Sequence, residues 1–280
     1  MIIGNKQFCK NKTYVMGILN VTPDSFSDGG KFNNISSALF HVEEMIKDGA
    51  SVIDIGGEST RPGYTQISSE EEIERVVPYI EAVKANFDTI ISIDTYKSDV
   101  AKESALAGAD LINDIWGLKY DTKMAEVVKK YDKSVCIMHN RAEAKYNSFL
   151  DDVVSDLTES IEIAKNADIE NDKIIIDPGI GFAKSLDENL MIMKNIEIFH
   201  SLGFPVLIGA SRKSMIGLTL NLPSDKRLEG TIATSVIACM KGAAFVRVHD
   251  VKENKRAIAM TEAILNICKK ESQFSDCGSF

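Results

Sequence analysis

Polar side chains recur at the ends of short apolar segments along this chain, and their chemical types could bind or transform a small molecule. At or just beyond these ends lie Asn20, Glu58, Asp94, Asn113, His139, Asp177, Lys213 and His249. Amide, carboxylate, ammonium and imidazole groups form directed hydrogen bonds, and several of them can transfer protons. Their recurrence at equivalent places indicates one shared site.

Each of these residues alone has an ordinary structural explanation. A carboxylate at the end of a strand often caps the following helix, and this interpretation fits Asp114 and Asp250 best. Asn113 could satisfy backbone groups in a turn, and a lone histidine such as His249 is more often structural than catalytic. The joint pattern favours a functional site, since capping does not require so many polar ends to face one cavity.

Positive groups gather at the same ends, namely Arg61, Lys213, Arg247 and His249, although the chain carries a net charge of −9. Arg247 and His249 are two residues apart on one predicted strand, so their side chains face the same side. Together with an inward-facing Lys213 they could hold an anion. The alternatives are a solvated pair for Arg212 and Lys213, and a salt bridge on the outside of the fold for Arg247.

Two of the apolar segments are followed by long loops, at residues 20–30 and 56–63. Both loops mix glycine, proline, hydroxyl groups and charges, a composition typical of mobile active-site lids. An ordinary surface loop would not explain Phe26 between two serines, or Arg61 directly before Pro62.

The elements that must position these residues form a repeated alternation of strand and helix. The apolar segments predict strands at residues 14–19, 52–55, 89–93, 110–112, 134–138, 174–176, 205–208 and 245–248. Helical patterns follow them near residues 36–48, 69–86, 98–108, 121–132, 150–168, 187–201, 227–242 and 251–269. Ser69 with the glutamates after it predicts a capping box, and Gly49, Gly108, Gly203 and Gly242 predict left-handed helix ends.

Apolar strands that alternate with helices are typical of a parallel sheet covered on both faces, and eight such units close into an α/β fold of the (β/α)₈ TIM barrel class. An open doubly wound sheet is the alternative, but the chain lacks the glycine-rich turn that usually follows its first strand. In a barrel, the carboxyl ends of all strands converge on one mouth, where active sites of this fold lie.

Composition predicts one barrel domain over residues 1–268, followed by a polar tail at residues 269–280. The acidic balance disfavours nucleic acid and anionic membranes as partners. The five cysteines have no ligand spacing, and no signal-like or membrane-spanning segment is evident, so we expect reduced thiols and a cytoplasmic protein.

Seven ordered motifs make the chain similar to the dihydropteroate synthases of the bacterial folate pathway, from about residue 14 to residue 252. They are MGILNVTPDSFSDGG (16–30), VIDIGGESTRPG (52–63), ISIDTYKSDVA (91–101), LINDIWG (111–117), IIIDPGIGFAK (174–184), PVLIGASRKSMIG (205–217) and VRVHDV (246–251). The resemblance implies condensation of two small-molecule substrates, 6-hydroxymethyl-7,8-dihydropterin pyrophosphate and 4-aminobenzoate, to 7,8-dihydropteroate and pyrophosphate. It further implies a homodimer packed through outer helices.

The resemblance also implies roles for individual residues. These are a pterin pocket at Asp94, Asn113, Asp177 and Lys213; a pyrophosphate site at Thr60, Arg247 and His249; an aminobenzoate site at Thr60, Arg61, Pro62, Phe182 and Ser211; lid residues Thr22, Pro23, Asp24, Ser25 and Phe26; and Mg²⁺ on Asn20. We expect an SN1-like path, in which pyrophosphate leaves before the amine attacks. The chain departs from the common family pattern at Asn140, Ala183 and Trp116, and no departure removes one of these groups.

Three other functions are compatible with a barrel of this kind. A methyltetrahydrofolate-binding methyltransferase shares the pterin-facing carboxylates and amide but needs no pyrophosphate site. A catalytically silent relative would bind a pterin without releasing pyrophosphate. A phosphate-binding aldolase would need a Schiff-base lysine on an inner strand, whereas Lys213 is predicted to lie in a loop.

Overall fold

The computed structural model describes residues 1–22, 31–58 and 66–266 of the chain. Within these ranges the strands are β1 (Ile2–Ile3), β2 (Lys6–Gln7), β3 (Tyr14–Asn20), β4 (Val52–Gly56), β5 (Ile90–Asp94), β6 (Leu111–Asp114), β7 (Ser134–Met138), β8 (Ile174–Asp177), β9 (Leu207–Ile208) and β10 (Phe245–Val248). The α-helices of the same ranges are α1 (Lys31–Lys47), α2 (Ser69–Asn86), α3 (Ser98–Ala107), α4 (Met124–Lys130), α5 (Phe149–Asn166), α6 (Leu186–Lys194), α7 (Ser214–Leu220), α8 (Leu228–Met240) and α9 (Val251–Leu265).

Strands β3 to β10 form one parallel sheet that closes on itself. The spatial order is β8-β7-β6-β5-β4-β3-β10-β9, and Ile176 of β8 pairs with Val206, just before β9. Successive strands are joined through helices, because a parallel pair cannot be linked by a tight turn. The architecture is therefore the predicted (β/α)₈ barrel.

Side chains alternate between the outside and the inside of the barrel along each strand. Outward residues such as Ile53 and Ile55 share a buried core with Val76 and other residues of the surrounding helices. The inward residues of the lowest layer are Met16, Val52, Ile90, Leu111, Cys136, Ile175, Leu207 and Phe245. The β1–β2 hairpin adds Ile3 and Phe8 to this layer, and so covers the end of the barrel where the strands begin.

Two positions further along five of the strands, the inward side chains become polar. The change is from Val52 to Asp54, Ile90 to Ser92, Leu111 to Asn113, Ile175 to Asp177 and Phe245 to Arg247. Because strand periodicity is two, each of these polar residues points into the same space as the apolar residue below it. The barrel therefore has an apolar floor and a polar interior near its carboxyl ends.

Local sequence explains most element boundaries, with one correction at α2. The side chain that caps α2 belongs to Ser68, whose Oγ accepts from the Glu71 amide at 3.2 Å, so the predicted cap at Ser69 is one residue too late. A complete capping box occurs instead at Ser185 and Glu188 of α6. The four predicted helix-ending glycines all have positive φ, as at Gly108 with 116°.

Several predicted boundaries differ from the observed ones for identifiable reasons. Five predicted strands stop too early, because the apolar pattern ends before the hydrogen-bonded ladder does; the ladder continues through Asn20, Gly56, Asp94, Asp114 and Asp177. The helix predicted at 187–201 ends at Lys194 and is followed by a 3₁₀ segment, Ile196–Leu202. The hairpin was missed because two-residue strands are too short to show periodicity, and α7 was missed as well.

None of the helices in the described ranges is long and apolar enough to cross a membrane. The described cysteines, Cys9, Cys136 and Cys239, are free thiols.

Candidate active site

Neighbouring strands bring the predicted pterin-pocket residues to one end of the barrel. Asn20 pairs in register with Gly56, Gly56 with Asp94, and Asp94 with Asn113. Asp177 pairs with Met138 on the opposite side of the barrel. All of these residues lie in strands, so backbone hydrogen bonds fix their positions. A side chain at Gly56 would lie 3.6 Å from Asn20 Oδ1 and 3.9 Å from Asp94 Oδ2, so the missing side chain keeps open the space between them.

Arg247 lies inside the barrel and pairs with two carboxylates. Its Nε donates to Asp54 Oδ2 at 2.5 Å, and its Nη2 donates to Asp94 Oδ2 at 2.6 Å. The alternative of a salt bridge on the outside of the fold is therefore wrong, because the side chain at position 247 of β10 points into the barrel. Burial lowers the pKa of Arg247, but Asp54 and Asp94 overcome this effect, so the pKa is raised and the guanidinium stays charged.

Asp94 differs from an ordinary surface carboxylate in its protonation. The pKa of Asp94 is raised to about 7. Burial is the largest cause, Arg247 opposes it, and the negative charges of Asp54 and Glu72 add to it. Its Oδ1 is buried and has no hydrogen-bond partner among the described residues. A buried carboxylate oxygen without a donor is costly, so this atom is suited to accept a hydrogen bond from a ligand.

Asp177 and Lys213 form the other half of the polar interior. The Gly179 amide donates to Asp177 Oδ1 at 2.7 Å, which holds this carboxylate in one orientation. A side chain at Gly209 would lie 3.7 Å from Asp177 Oδ2 and 3.8 Å from Lys213 Nζ, so these two groups border the same small space. Burial raises the pKa of Asp177, and the positive charge of Lys213 opposes that shift.

Lys213 is half-buried and its ammonium contacts protein groups, while Arg212 pairs with Asp250, so the alternative of a solvated pair is wrong. Its Nζ donates to the Ile180 carbonyl at 2.5 Å and lies 4.6 Å from the centroid of the Phe182 ring. The pKa of Lys213 is lowered to about 8. Burial is the largest cause, the negative charge of Asp177 opposes it, and the positive charge of Arg247 adds to it. Lys213 is thus a cation that can lose its proton close to neutral pH.

Ser211 and His249 contact each other at the rim of this space. Ser211 Oγ accepts from the His249 backbone amide at 3.2 Å and lies 3.0 Å from His249 Nδ1. A hydroxyl that donates to Nδ1 leaves the proton of a neutral ring on Nε2. The two residues predicted for the aminobenzoate and pyrophosphate sites are therefore adjacent.

An apolar wall adjoins the polar groups. Tyr96, Ile115 and Met138 form a buried cluster, and Trp116 and Phe182 pack against it. Trp116, one of the departures from the common pattern, belongs to this cluster through packing. The combination of a flat apolar wall and buried charged groups suits a planar heterocycle that carries polar edges.

Several predicted residues lie outside the part of the chain that the structure describes. They are Pro23, Asp24, Ser25, Phe26, Thr60, Arg61 and Pro62. Thr22, the remaining lid residue, is half-buried just beyond the end of β3.

The two carboxylates that sequence assigned to capping behave differently. Asp114 accepts from the amides of Trp116 and Leu118 at 2.8 and 2.7 Å, so it stabilises a turn and does not cap the following helix, whose N-cap is Lys123. Asp250 precedes α9 but makes no side-chain cap; it pairs with Arg212 instead. The capping interpretation of Asp250 is therefore wrong.

Two further charged residues, Asp54 and Lys97, do not lie at strand ends and so do not belong to the strand-end pattern. Asp54 is in the middle of an apolar strand. A single carboxylate among branched apolar residues is unusual, so the sequence could have indicated it as a candidate site residue. Lys97 pairs with Glu58 at 3.0 Å and Glu72 at 2.7 Å, and it donates to the Ile67 carbonyl at 2.8 Å. It thereby joins Glu58 and Ile67, which flank residues 59–65.

Lys184 belongs to a hydrogen-bonded network with His139 and Asp156, in which His139 is buried. Its Nζ donates to His139 Nδ1 at 2.8 Å, and His139 Nε2 lies 2.9 Å from Asp156 Oδ2. Burial lowers the pKa of Lys184 to about 7, and burial together with the charge of Lys184 lowers that of His139 to about 3. No sequence pattern indicated that Lys184, His139 and Asp156 contact one another, since they are distant along the polypeptide.

No group of three or more His, Cys, Asp or Glu side chains that could hold a metal occurs among the residues that the structure describes. Asn20 offers one amide oxygen beside Gly56, close to Asp94. Mg²⁺ usually keeps several water ligands and takes few from the protein when substrate phosphates supply the rest. A metal brought in by a phosphorylated substrate therefore fits this donor set better than a resident metal centre.

Comparison with known proteins agrees with the geometry. The family model described as "Pterin binding enzyme" matches residues 16–249. The chain is 58% identical over 267 residues to the dihydropteroate synthase of Clostridium beijerinckii, covering 95% of this chain and 99% of the relative. It is 54% identical to the Bacillus subtilis dihydropteroate synthase, covering 92% of this chain and 90% of the relative.

Solved structures extend the similarity to the fold. A dihydropteroate synthase from Clostridium difficile, crystallised with pteroic acid, superposes with a TM-score of 0.90 at 48% identity, covering 92% of this chain and 99% of that one. The Yersinia pestis dihydropteroate synthase in a sulfonamide complex superposes with a TM-score of 0.89 at 42% identity, covering 95% of this chain and 99% of that one. This chain therefore belongs to the pterin-binding enzymes and, within them, to the dihydropteroate synthases.

Proposed function

We propose that this transferase joins 4-aminobenzoate to 6-hydroxymethyl-7,8-dihydropterin pyrophosphate inside the carboxyl end of the barrel, releasing pyrophosphate. The observation that carries the assignment of the site is the set of Asp94, Asn113, Asp177 and Lys213 beside the apolar wall, of which Asn113 and Asp177 are buried and Asp94 and Lys213 are partly exposed. These groups offer hydrogen-bond acceptors, an amide and a cation in one enclosed space, as a 2-amino-4-oxopterin ring requires.

The pterin is held through complementary hydrogen bonds. Its 2-amino-4-oxo edge presents adjacent N–H donors, and a carboxylate such as Asp177 can accept two of them, as carboxylates do from arginine. Asn113 supplies both a donor and an acceptor, and Lys213 donates to ring acceptors. Phe182, which lies under the Lys213 ammonium, extends the apolar wall against the ring.

The pyrophosphate lies on the side of Arg247 and His249, where the cationic groups neutralise the leaving group. His249 contributes an N–H from Nε2 while Ser211 holds Nδ1. Mg²⁺, bound by Asn20 together with the phosphate oxygens, adds further charge neutralisation when present. Thr60, which lies outside the described residues, completes this side of the site in the proposal.

The aminobenzoate binds beside Phe182 and Ser211, next to Thr60, Arg61 and Pro62. The Yersinia pestis relative in its sulfonamide complex supports this part of the proposal, because sulfonamides resemble 4-aminobenzoate. The attacking amine is neutral at pH 7, so no general base is required. The lid residues 22–26 serve to exclude water in the proposal.

Bond cleavage precedes bond formation in the proposed path. Departure of pyrophosphate leaves a positive charge delocalised into the dihydropterin, and the carboxylate of Asp94 stabilises that charge electrostatically. The amine then attacks the methylene carbon, and its proton is lost to solvent.

The path is tested with ¹⁸O placed in the bridge between the methylene carbon and the phosphate. We expect the label to scramble into non-bridging positions of recovered substrate, since the departing pyrophosphate can rotate and recombine. Scrambling would also show that the chain cleaves this C–O bond. Product formation without scrambling, and with strict inversion at a chirally labelled methylene, would contradict the SN1-like path.

A methyltransferase that binds a methylated folate is the main competing function. Such an enzyme has no use for the cations Arg247 and Lys213, both of which contact protein groups inside the barrel. A pterin-binding relative without catalysis would keep the pocket and release no pyrophosphate.

Assembly and location belong to the same proposal. Exposed apolar side chains lie on the contacting helices α7 and α8; they include Leu218, Leu220 and Met240. We assign these helices to the homodimer contact. The free thiols of the described cysteines support a cytoplasmic location.

A further inference from the structure

We propose that Asp54 is a positioning residue that orients both Arg247 and Asn113 toward the substrate, although it does not touch the substrate itself. The inference rests on the proposed function, because it assigns a new role within that site. It concerns a residue that the strand-end pattern did not single out.

The depth of Asp54 in the barrel separates it from a ligand bound at the barrel mouth. The side chain lies in the middle of β4, one inward position below Gly56, and the residue is 0% exposed. The space at the barrel mouth is bordered by Asn20 and Asp94, which lie one layer above Asp54. A charged group at this depth must act through its protein neighbours.

Two of those neighbours are substrate-binding residues in the proposed function. Asp54 Oδ2 accepts from Arg247 Nε at 2.5 Å and from Asn113 Nδ2 at 3.4 Å. One carboxylate oxygen therefore connects a residue of the pyrophosphate side to a residue of the pterin side. These two residues come from β10 and β6, with β3, β4 and β5 between them in the sheet.

The contact with Asp54 determines what Asn113 can present. An ionised carboxylate only accepts hydrogen bonds, so the amide of Asn113 must turn its Nδ2 toward Asp54. Its Oδ1 and its second N–H then remain for a ligand. Without Asp54 nothing in this contact would distinguish the two amide orientations, and the donor and acceptor could exchange places.

The contact with Arg247 determines where the guanidinium plane lies. Asp54 engages Nε and Asp94 engages Nη2, so the guanidinium bridges the two carboxylates. Substrate that competes for Asp94 can release Nη2 while Nε remains on Asp54. Asp54 thus keeps Arg247 inside the site after Asp94 has turned to the pterin, and Nη1 and Nη2 can reach the leaving group.

The test compares Asp54→Asn with Ser92→Ala as a matched control. Ser92 is buried and pairs in register with Asp54 on β5, but its Oγ has no partner among the described residues. Both changes therefore alter the same layer, and only one removes the contacts to Arg247 and Asn113. Calorimetry measures binding of the dihydropterin pyrophosphate, and steady-state kinetics measures KM for each substrate and kcat.

We expect Asp54→Asn to weaken binding of the dihydropterin pyrophosphate by about 30-fold or more, the loss typical when a buried charge loses its partner. KM for 4-aminobenzoate should change by less than about 3-fold, a span that corresponds to well under 1.4 kcal/mol. Adding Asp54→Asn to Arg247→Gln should weaken binding far less than it does alone, because Asp54 acts partly through Arg247. Ser92→Ala should bind like the wild type.

Wild-type binding by Asp54→Asn would overturn the inference, as would equal losses for both substrates. Additive effects of the two changes would also overturn it. If Asp54→Asn does not fold, Asp54→Glu keeps the buried charge but moves it by one methylene, and the same selective loss is expected. If the wild type binds the pterin substrate but never releases pyrophosphate, the proposed function fails, and the binding data still decide the role of Asp54.

Discussion

At the scale of single residues, burial controls the chemistry of the site. Asp94 and Lys213 are common side chains whose protonation has been moved toward neutrality, to pKa values of about 7 and about 8. The cause in both cases is loss of water, which disfavours the charged form of either group. Neighbouring charges then limit the shift, as Arg247 does for Asp94. The site therefore keeps both groups charged only over a narrow range of pH.

A bell-shaped dependence of kcat/KM on pH follows for the dihydropterin pyrophosphate. As pH falls below about 7, Asp94 gains a proton and loses the negative charge that the cationic path requires. As pH rises above about 8, Lys213 loses its proton and the ammonium that binds the ring acceptors. The maximum should therefore lie between these two values, and initial rates at low substrate concentration measure it.

Lys184 provides the control for this pH profile, because burial also brings its pKa to about 7. Loss of a proton from Lys184 would reduce activity as pH rises, not as it falls. In Lys184→Met the basic limb should stay near pH 8 if Lys213 is responsible. Disappearance of that limb would assign it to Lys184 and contradict the expectation.

Sequence alone identified Asp94, Asn113, Asp177, Lys213, Arg247 and His249, and the structure brings them together at one end of the barrel. These residues were visible because each interrupts or follows an apolar run at a strand end. Asp54 and the two partners of His139, Asp156 and Lys184, were missed, since the residues they contact are far away along the polypeptide. Side-chain contacts between distant strands arise from closure of the barrel and leave no periodic pattern in the sequence.

At the scale of elements, hydrogen bonding between strands positions the site residues. Buried side-chain contacts hold the segments that connect the strands. Lys97 directly precedes α3 and connects it to Glu72 of α2 and to Glu58 and Ile67. Its side chain is 8% exposed, and those of its two acidic partners are 3% and 1% exposed. Removal of the lysine would leave two buried carboxylates side by side.

Lys97→Met should therefore reduce the free energy of unfolding by about 3–5 kcal/mol, the cost of leaving buried charges uncompensated. Chemical denaturation monitored by circular dichroism measures the change. Lys102→Met is the control, because Lys102 pairs with Glu103 at the surface, where such pairs contribute about 0–1 kcal/mol. Equal effects of the two substitutions would show that the Lys97 cluster is not a structural anchor.

Helix and strand order followed from the sequence because alternating apolar segments and amphipathic patterns directly reflect burial. Boundaries were less accurate, since β3 to β6 and β8 end in polar or glycine residues that the apolar pattern excludes. Three of those residues, Asn20, Asp94 and Asp177, belong to the proposed site. The strands therefore extend beyond their apolar segments at the end of the barrel where the proposed site lies.

At the scale of the whole molecule, stability and chemistry are placed at opposite ends. The β1–β2 hairpin covers the apolar floor, where Phe8 is 6% exposed and its ring lies 4.8 Å from that of Tyr14 and 5.3 Å from that of Phe245. The polar interior lies at the other end. Barrels commonly separate the two in this way, because strand ends facing one mouth can vary without disturbing the floor.

Phe8→Ala should lower the free energy of unfolding by about 3–5 kcal/mol, the usual cost of removing a buried aromatic ring. Activity per folded molecule at a permissive temperature should stay within about twofold of the wild type, because the substituted residue is remote from the site. Thermal unfolding and steady-state kinetics on the same preparation measure the two effects. Cys9→Ala, at an exposed neighbouring position, should change neither quantity. A large loss of kcat in Phe8→Ala would show that the two ends are coupled.

The most direct measurement of the central claim is release of pyrophosphate by the purified protein, given the dihydropterin pyrophosphate, Mg²⁺ and 4-aminobenzoate. We expect release that depends on the aminobenzoate and that collapses in both Lys213→Ala and Asp177→Ala. Retained thermal stability in the variants would show that the loss is chemical. Binding of the pterin without any release of pyrophosphate, or full activity in either variant, would contradict the account.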